Sequence, residues 1–405
     1  MSVSKILPSI VFLLFFFTIF SFFSAIRINL YQHPQNLALT DFTAYLAGSL
    51  MIKENKGRLL YHFPSFFEYE SLLTSPLSPP KLTYRALPFT VLFYLPLINL
   101  DLFASFSIFA GFSFLSLISI CFLSRFIFPP IRHLPFWFLL PFAFVPSFKT
   151  VFYGQTAIIT TLFFMLSCLF ILRHKYFTAG ILLSFLLVKM QIFLSLAFFL
   201  LLLFPKIRLF WGFFTGIILS LIISLLLVGI DNLISYPSYL INSETLEFGS
   251  HIYDFQSLPS IFLRLLPDSV SRPVLSWGLS FLAFVFVVFL LKTKTLFFPP
   301  RQKLAVAAIL SPLFAFHTPD YELVLYLFPI FFLLHCYFTH PRLSRNYVFF
   351  WLALFIFLAC QSFFFSSFNA FSVPIFLLIG LFLALHPISP APIPKPPSPL
   401  PVSVP

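Results

Sequence analysis

Long apolar stretches separated by short polar breaks run along almost the whole chain. Continuous apolar runs cover residues 7–26, 102–123, 209–228, 274–291, 347–360 and 373–385, and shorter ones lie between them. A helix needs about 20 apolar residues to cross the hydrocarbon core of a bilayer. These runs do not alternate apolar with polar residues, as barrel strands would. The pattern therefore predicts an all-α, polytopic integral membrane protein with about 10–12 transmembrane helices. Residues 7–26 are read as a retained span, because Ser24-Ala25-Ile26-Arg27 is a poor small-x-small cleavage site. The Pro-flanked run 87–96 is short for a span, and residues 125–133 count as cytoplasmic only if that run, or 135–146, does not cross.

Composition adds that no soluble domain of useful size can be cut from the chain, since 60% of its 405 residues are hydrophobic and only 9% are charged. The net charge of +12 does not form a basic stripe for nucleic acid. Its Lys and Arg residues cluster at the ends of apolar runs: Arg173-His174-Lys175, Lys206 with Arg208, residues 292–303, Arg342 with Arg345, and Lys395. The positive-inside rule places these clusters in the cytoplasm. Eleven of the twelve acidic residues fall in three other segments, 41–70, 231–268 and Asp320 with Glu322, which then lie on the outer side. Cys121, Cys168, Cys336 and Cys360 sit inside apolar runs without metal or redox spacing, and are read as core fillers. No repeat of 20–50 residues is visible. Residues 1–386 form one transmembrane domain in this reading, with a first outer loop at 27–85 and a second at 230–268; residues 387–405 form a Pro-rich, disordered cytoplasmic tail.

The first outer loop is far longer than a connection requires. In it, Thr40-Asp41 precedes a helical stretch, 42–55, with Phe42, Tyr45, Leu46, Leu50 and Ile52 spaced for one face and Gly57 as a stop. That pattern predicts a helix lying along the membrane surface. Asp41 at its first turn is open to two readings, a helix cap meeting the dipole or a carboxylate placed for chemistry. Glu68, Glu70, Glu244 and Glu247 read as solvated loop charges.

Asp41-Phe42-Thr43-Ala44-Tyr45, then Gly57 and Leu60-Tyr61, resembles the D-F-x-x-Y-Y, Gly and L-Y pattern of the GT-C glycosyltransferases of family 87. The resemblance continues through Tyr84-Arg85 with Pro88 and Pro96-Leu97, Gly154-Gln155, Gly180 followed by Lys189, and His317-Thr318-Pro319-Asp320-Tyr321-Glu322. Leu46, Gly48, Ser49 and Met190 depart from the family pattern. The resemblance implies a GT-C-like bundle with juxtamembrane helices in the first outer loop. It also implies a hexosyltransferase that moves a sugar, mannose favoured, from a polyprenyl-phosphate donor to an envelope glycolipid or glycan. Asp41 would be the general base of an inverting displacement, in a multi-pass cell-membrane protein with its active site on the extracytoplasmic face. Tyr45, Arg85, Gln155, Lys189, His251, Arg264, His317 and Tyr321 are the candidate substrate-binding residues. The bland readings are that Arg85 and Arg264 snorkel to headgroups, that Lys189 marks a helix end and that the histidines are polar loop residues.

No metal is expected, because Asp41 lacks an acidic partner at i+2 and a ligand cluster nearby. No Gly-rich strand-to-helix turn for a nucleotide sugar lies outside the apolar runs. The expected partners are thus the lipid-linked sugar phosphate as co-substrate, the acceptor and membrane lipids, with no separate cofactor. The competing class is a secondary transporter or lipid flippase, in which Lys189, Gln191 and His317 would line a path through the membrane; it calls for discontinuous helices in corresponding positions of two halves.

Overall fold

The computed structural model describes residues 31–77, 81–133, 137–243, 257–267, 271–294, 298–315 and 318–339, with a few isolated positions beside them. Apart from single positions the runs 7–26 and 373–385, with all of 347–360 and the tail 387–405, lie outside the described residues. All regular structure among the described residues is helical. In chain order the helices are α1 Pro34–Ala38, α2 Asp41–Lys53, α3 Phe63–Thr74, α4 Leu102–Ile127, α5 Leu140–Ala143, α6 Val145–Phe152, α7 Ala157–Leu172 and α8 Tyr176–Ser184. They continue with α9 Met190–Leu203, α10 Ile207–Val228, α11 Ile230–Ser243, α12 Leu258–Leu265, α13 Arg272–Lys294, α14 Pro300–Phe314 and α15 Leu327–Thr339.

Five described stretches are long and apolar enough to cross a membrane: Leu102–Ile127, Tyr176–Leu203, Ile207–Val228, Arg272–Lys294 and Asp320–Thr339. The polytopic all-α reading therefore holds. Tyr176–Leu203, long enough by count, does not cross as one helix but folds back on itself, because Lys206, just beyond its far end, lies 6.0 Å from the ring of Tyr176 at its start. A straight helix of that length would separate its ends by about 40 Å. The reversal falls at Lys189, where a 3₁₀ turn, Phe185–Lys189, joins α8 to α9. A second 3₁₀ segment, Asp320–Tyr326, leads into α15.

Small residues let these elements approach closely. At Gly180 an added Cβ would lie 2.3 Å from the carbonyl oxygen of Leu209, and at Gly212 it would lie 2.0 Å from that of Phe177. The α8–α10 seam is thus backbone against backbone, the packing that membrane helices use where lipid supplies no hydrophobic drive. In α14, Leu304 through Leu310 are all fully buried, as expected of a helix apolar all round. The exposed large apolar side chains of α4, α10 and α13, among them Phe122, Leu226 and Phe281, form the lipid-facing exterior.

Among the described residues, the basic clusters at 206–208 and 301–303 gather at one end of the bundle. Arg301 at the start of α14 donates to the carbonyl of Ile127 at the end of α4 over 2.6 Å. Lys303 lies 5.9 Å from the ring of Phe204, where α9 ends. At the opposite end Lys53 of α2 meets Asn99, just before α4.

Run 87–96 does not make a span. It forms two 3₁₀ turns, Pro88–Phe93 and Leu95–Leu97, and its prolines withhold the donors a longer helix would need. Residues 137–152 return toward the Asp41 end through Trp137–Leu139, α5 and α6, a path broken by Pro141 and Pro146. With run 87–96 not crossing, residues 125–133 share the end occupied by the other basic clusters, as the sequence required.

Helix α2 is buried on more than the one apolar face its spacing predicts. Phe42 through Ser49 and Met51 are buried on every side of it. Its uncharged polar positions are small, Thr43, Gly48 and Ser49, so no wide hydrated face exists to turn outward. The helix stops at Asn55, which takes the left-handed conformation with φ 60°, and not at Gly57. Gly57 instead meets the end of α10, where an added Cβ would lie 2.1 Å from the Leu227 carbonyl oxygen.

Candidate functional site

The site is assembled on a single turn, Tyr153-Gly154-Gln155, between α6 and α7. Gly154 has φ 61°, which L side chains rarely adopt, and an added Cβ would lie 2.5 Å from Cβ of Phe42. Its carbonyl accepts from the Tyr94 hydroxyl at 3.1 Å. The backbone N–H of Phe42, otherwise an orphan donor of the first turn of α2, donates to the Tyr153 carbonyl at 3.1 Å. This docking sets Asp41 beside Gln155.

Gln155 is the hub. Its amide nitrogen donates to Oδ2 of Asp41 and to the Tyr321 hydroxyl at 3.3 Å. Its amide oxygen accepts from Nζ of Lys189 and from the Tyr45 hydroxyl at 3.5 Å. The amide orientation follows from charge, since the donor end must face the carboxylate and the acceptor end the ammonium. Lys189 is buried and paired with Glu322 at 3.3 Å, and stands 5.1 Å from the Tyr321 ring centre. Tyr45 stacks on Tyr94 with centroids 4.9 Å apart and planes 5° from parallel; burial pushes its phenol above the ordinary range, so it remains a donor.

Behind the turn, Lys149 of α6 bonds Asp320 at 2.6 Å, and the Thr150 hydroxyl donates to the Tyr321 carbonyl at 2.9 Å. These contacts hold Asp320–Tyr326 against α6 and so fix Tyr321 and Glu322.

A cleft opens in front of the hub, with Asp41, Tyr45, Thr83, Arg85, Gln155, Lys189, Gln191 and Tyr321 on its walls. A smaller space lies on the far side of Lys189, lined by Thr160, Thr161 and Glu322. Arg85 reaches the cleft from the extended segment 81–85 and donates to the Ser243 carbonyl at 2.6 Å. The Tyr236 hydroxyl supports that segment by donating to the Arg85 carbonyl at 2.9 Å.

The fold thus brings together six of the nine residues singled out from the sequence: Asp41, Tyr45, Arg85, Gln155, Lys189 and Tyr321. Arg264 does not line this cleft; it sits on α12 and donates to the Phe255 carbonyl at 3.0 Å. His251 and His317, with Glu244 and Glu247, lie outside the described residues. Asp41 does not act as a side-chain cap; Thr40 holds the cap position, and the Asp41 carboxylate is turned to Gln155.

Glu322 and the Lys149–Asp320 pair were not singled out as site components. Glu70, expected as a solvated loop charge, is fully buried on α3. Burial pushes its carboxyl up to about 9, against the lowering effect of the Leu82 backbone amide and with a smaller raising contribution from Asp41. The described cysteines Cys121, Cys168 and Cys336 are buried and free, as core fillers are.

Comparison with known proteins gives a match to a family. The model of glycosyltransferase family 87 matches residues 87–317, a stretch that contains Gln155 and Lys189, while Asp41, Tyr45 and Arg85 precede it and Tyr321 follows it. No curated protein and no solved structure gives a significant match. The match takes in more than half of the 405 residues, and the chain therefore belongs to glycosyltransferase family 87, the membrane glycosyltransferases its motifs resemble.

Proposed function

We propose that the protein transfers a sugar from a polyprenyl phosphate to a hydroxyl of an envelope glycolipid or glycan, with Asp41 as the general base. The observation that carries this reading is the setting of Asp41. It is half-buried on the wall of the cleft and bound to a neutral amide rather than to Lys189. Gln155 stands between the carboxylate and the ammonium, and Glu322 balances the Lys189 charge. The amide orients the carboxylate on the cleft wall without a direct ion pair, and a general base must lie within hydrogen-bond reach of the hydroxyl it serves.

In the proposed reaction the acceptor oxygen attacks the anomeric carbon as the bond from that carbon to the phosphate oxygen breaks. The acceptor proton passes to Asp41 and the lipid phosphate leaves with the bonding pair. A single displacement inverts the anomeric centre, unlike the two-carboxylate retaining route. Arg85, on the same wall, is placed to meet the growing phosphate charge, and Tyr45, Tyr321 and Lys189 keep the hub in register.

The described basic clusters around Lys206 and Arg301 lie at the end of the bundle away from Asp41, and the positive-inside rule assigns that end to the cytoplasm. The cleft then faces outward, where a lipid-borne donor is available and a soluble nucleotide sugar is not. Mannose is the favoured sugar by family resemblance. The test is transfer of labelled mannose from a polyprenyl phosphate by purified protein. Asp41→Asn lowers the rate by about 10² or more with the protein expressed normally. Full activity in that variant removes Asp41 from the mechanism, and no transfer by wild type from any of several polyprenyl-phosphate sugars removes the donor class.

A further inference from the structure

Helix α11 has three faces where a helix on the surface of a soluble protein has two. Its first face is turned to the protein: Tyr236, Tyr239 and Ser243 are buried, and Tyr61 stacks near both tyrosines at 5.1 and 4.8 Å. Its second is polar, carrying Asp231, Ser235, Ser238 and Asn242, all exposed. Its third is an apolar stripe of Ile230, Ile234 and Ile241, exposed by 55%, 71% and 75%. Steps of four and then seven residues keep the stripe on one line along the helix.

The stripe continues an interface that already exists. Leu219, Ile222 and Leu226 form part of the outer face of α10, and Leu226, 80% exposed, lies one turn before Ile230. Between them Gly229 takes φ 82°, so α11 starts as a separate helix whose exposed isoleucines follow directly in sequence on the exposed Leu226 of α10. Asp231 is the only charged residue on α11. There is no Lys or Arg to recognise an anionic headgroup, so any attraction to a membrane rests on apolar area.

We infer that α11 is a bilayer-docking helix, lying at the boundary of headgroups and acyl chains with its isoleucine stripe in lipid, its serines and Asp231 in water and its tyrosines on the protein. A helix at that depth needs an apolar face, a polar face and no spanning length, and α11 adds a protein-facing side. The same helix holds Arg85 through the Ser243 carbonyl and the Tyr236 hydroxyl, so lipid contact is one helix width from the cleft wall.

The test places a nitroxide label at Ile234→Cys, Ile241→Cys, Asp231→Cys or Ser238→Cys in the full chain, reconstituted in phosphatidylcholine vesicles. Collisions with oxygen, which concentrates in acyl chains, are compared with collisions with a water-soluble nickel chelate. The ratio of oxygen to nickel accessibility at 234 and 241 exceeds that at 231 and 238 by about tenfold, as an interfacial helix requires. Equal ratios at all four positions put the stripe in water and overturn the inference. Spin–spin broadening at 234 and 241 shows a second copy covering the stripe and overturns it too. The four positions are exposed and independent, and the measurement needs no turnover.

Discussion

At the scale of single residues, Glu70 carries a fully buried carboxyl into the protein interior, where the Leu82 backbone amide offsets only part of the cost of burial. A carboxylate buried with so little compensation costs several kcal/mol, and the group escapes that cost by keeping its proton. Its value near 9 in the folded protein lies far above the ordinary 4.5, so between those two values the folded state holds a proton that the unfolded state has released. The stability this proton confers is complete below about pH 4.5 and is lost as pH rises through 9. Thermal unfolding in detergent at a series of pH values measures it. Wild type loses up to about 1.4 kcal/mol per pH unit across this window. Glu70→Gln, which keeps the shape and cannot ionise, loses less and is the more stable protein at pH 8. A Gln variant with the same pH slope, or a lower midpoint at pH 8, shows an ionised Glu70 with a partner. Gln155 is the opposite case, a buried polar group with both ends of its amide satisfied, which is why it can orient Asp41 without sharing a charge with it.

At the scale of elements, the site depends on irregular segments more than on helices. The 153–155 turn, the 3₁₀ segments Phe185–Lys189 and Asp320–Tyr326, and the extended stretch 81–85 supply most of the cleft wall. Gly154 is the position where this can be tested most directly. In Gly154→Ala the left-handed φ costs about 1–2 kcal/mol and the clash with Phe42 about 1–3 more. The variant therefore unfolds at lower temperature, and it loses transfer activity even where it remains folded, because the turn that presents Gln155 has moved. Unchanged stability and activity would show that the turn relaxes without shifting the hub. Much of this site was legible in the chain: Asp41, Tyr45, Gly154-Gln155 and Lys189 lie in short motifs whose order and common side could be read before any coordinates. What could not be read is which polar residues fold inward. Lys149 and Asp320 are 171 positions apart, and Glu70 looks in sequence like its exposed neighbour Glu68. The all-round burial of helix α2 is hidden for a related reason: apolar spacing reveals one buried face, but small residues such as Gly48 and Ser49 leave the other free to pack as well.

At the scale of the whole molecule, the uneven distribution of charge is what converts a bundle of apolar helices into a sided object. Cations approach the helix ends at Ile127, Tyr176 and Phe204 on one side, while the Asp41 hub occupies the other. Apolar packing alone does not choose between the two orientations; loop Lys and Arg residues do. Asn99 and Lys175 are exposed at opposite ends, and the described cysteines are buried, so with Cys360→Ser as background each position can be read by itself. A membrane-impermeant maleimide added to intact cells labels Asn99→Cys, whereas Lys175→Cys labels only after the membrane is opened. The reverse pattern would put Asp41 on the cytoplasmic face. There soluble nucleotide sugars compete as donors, and the argument for a lipid-borne sugar would lose its footing even with the hub intact. Sidedness therefore bears on the chemistry as directly as Asp41 does: the same carboxylate, amide and guanidinium serve a different donor according to which compartment the cleft opens into.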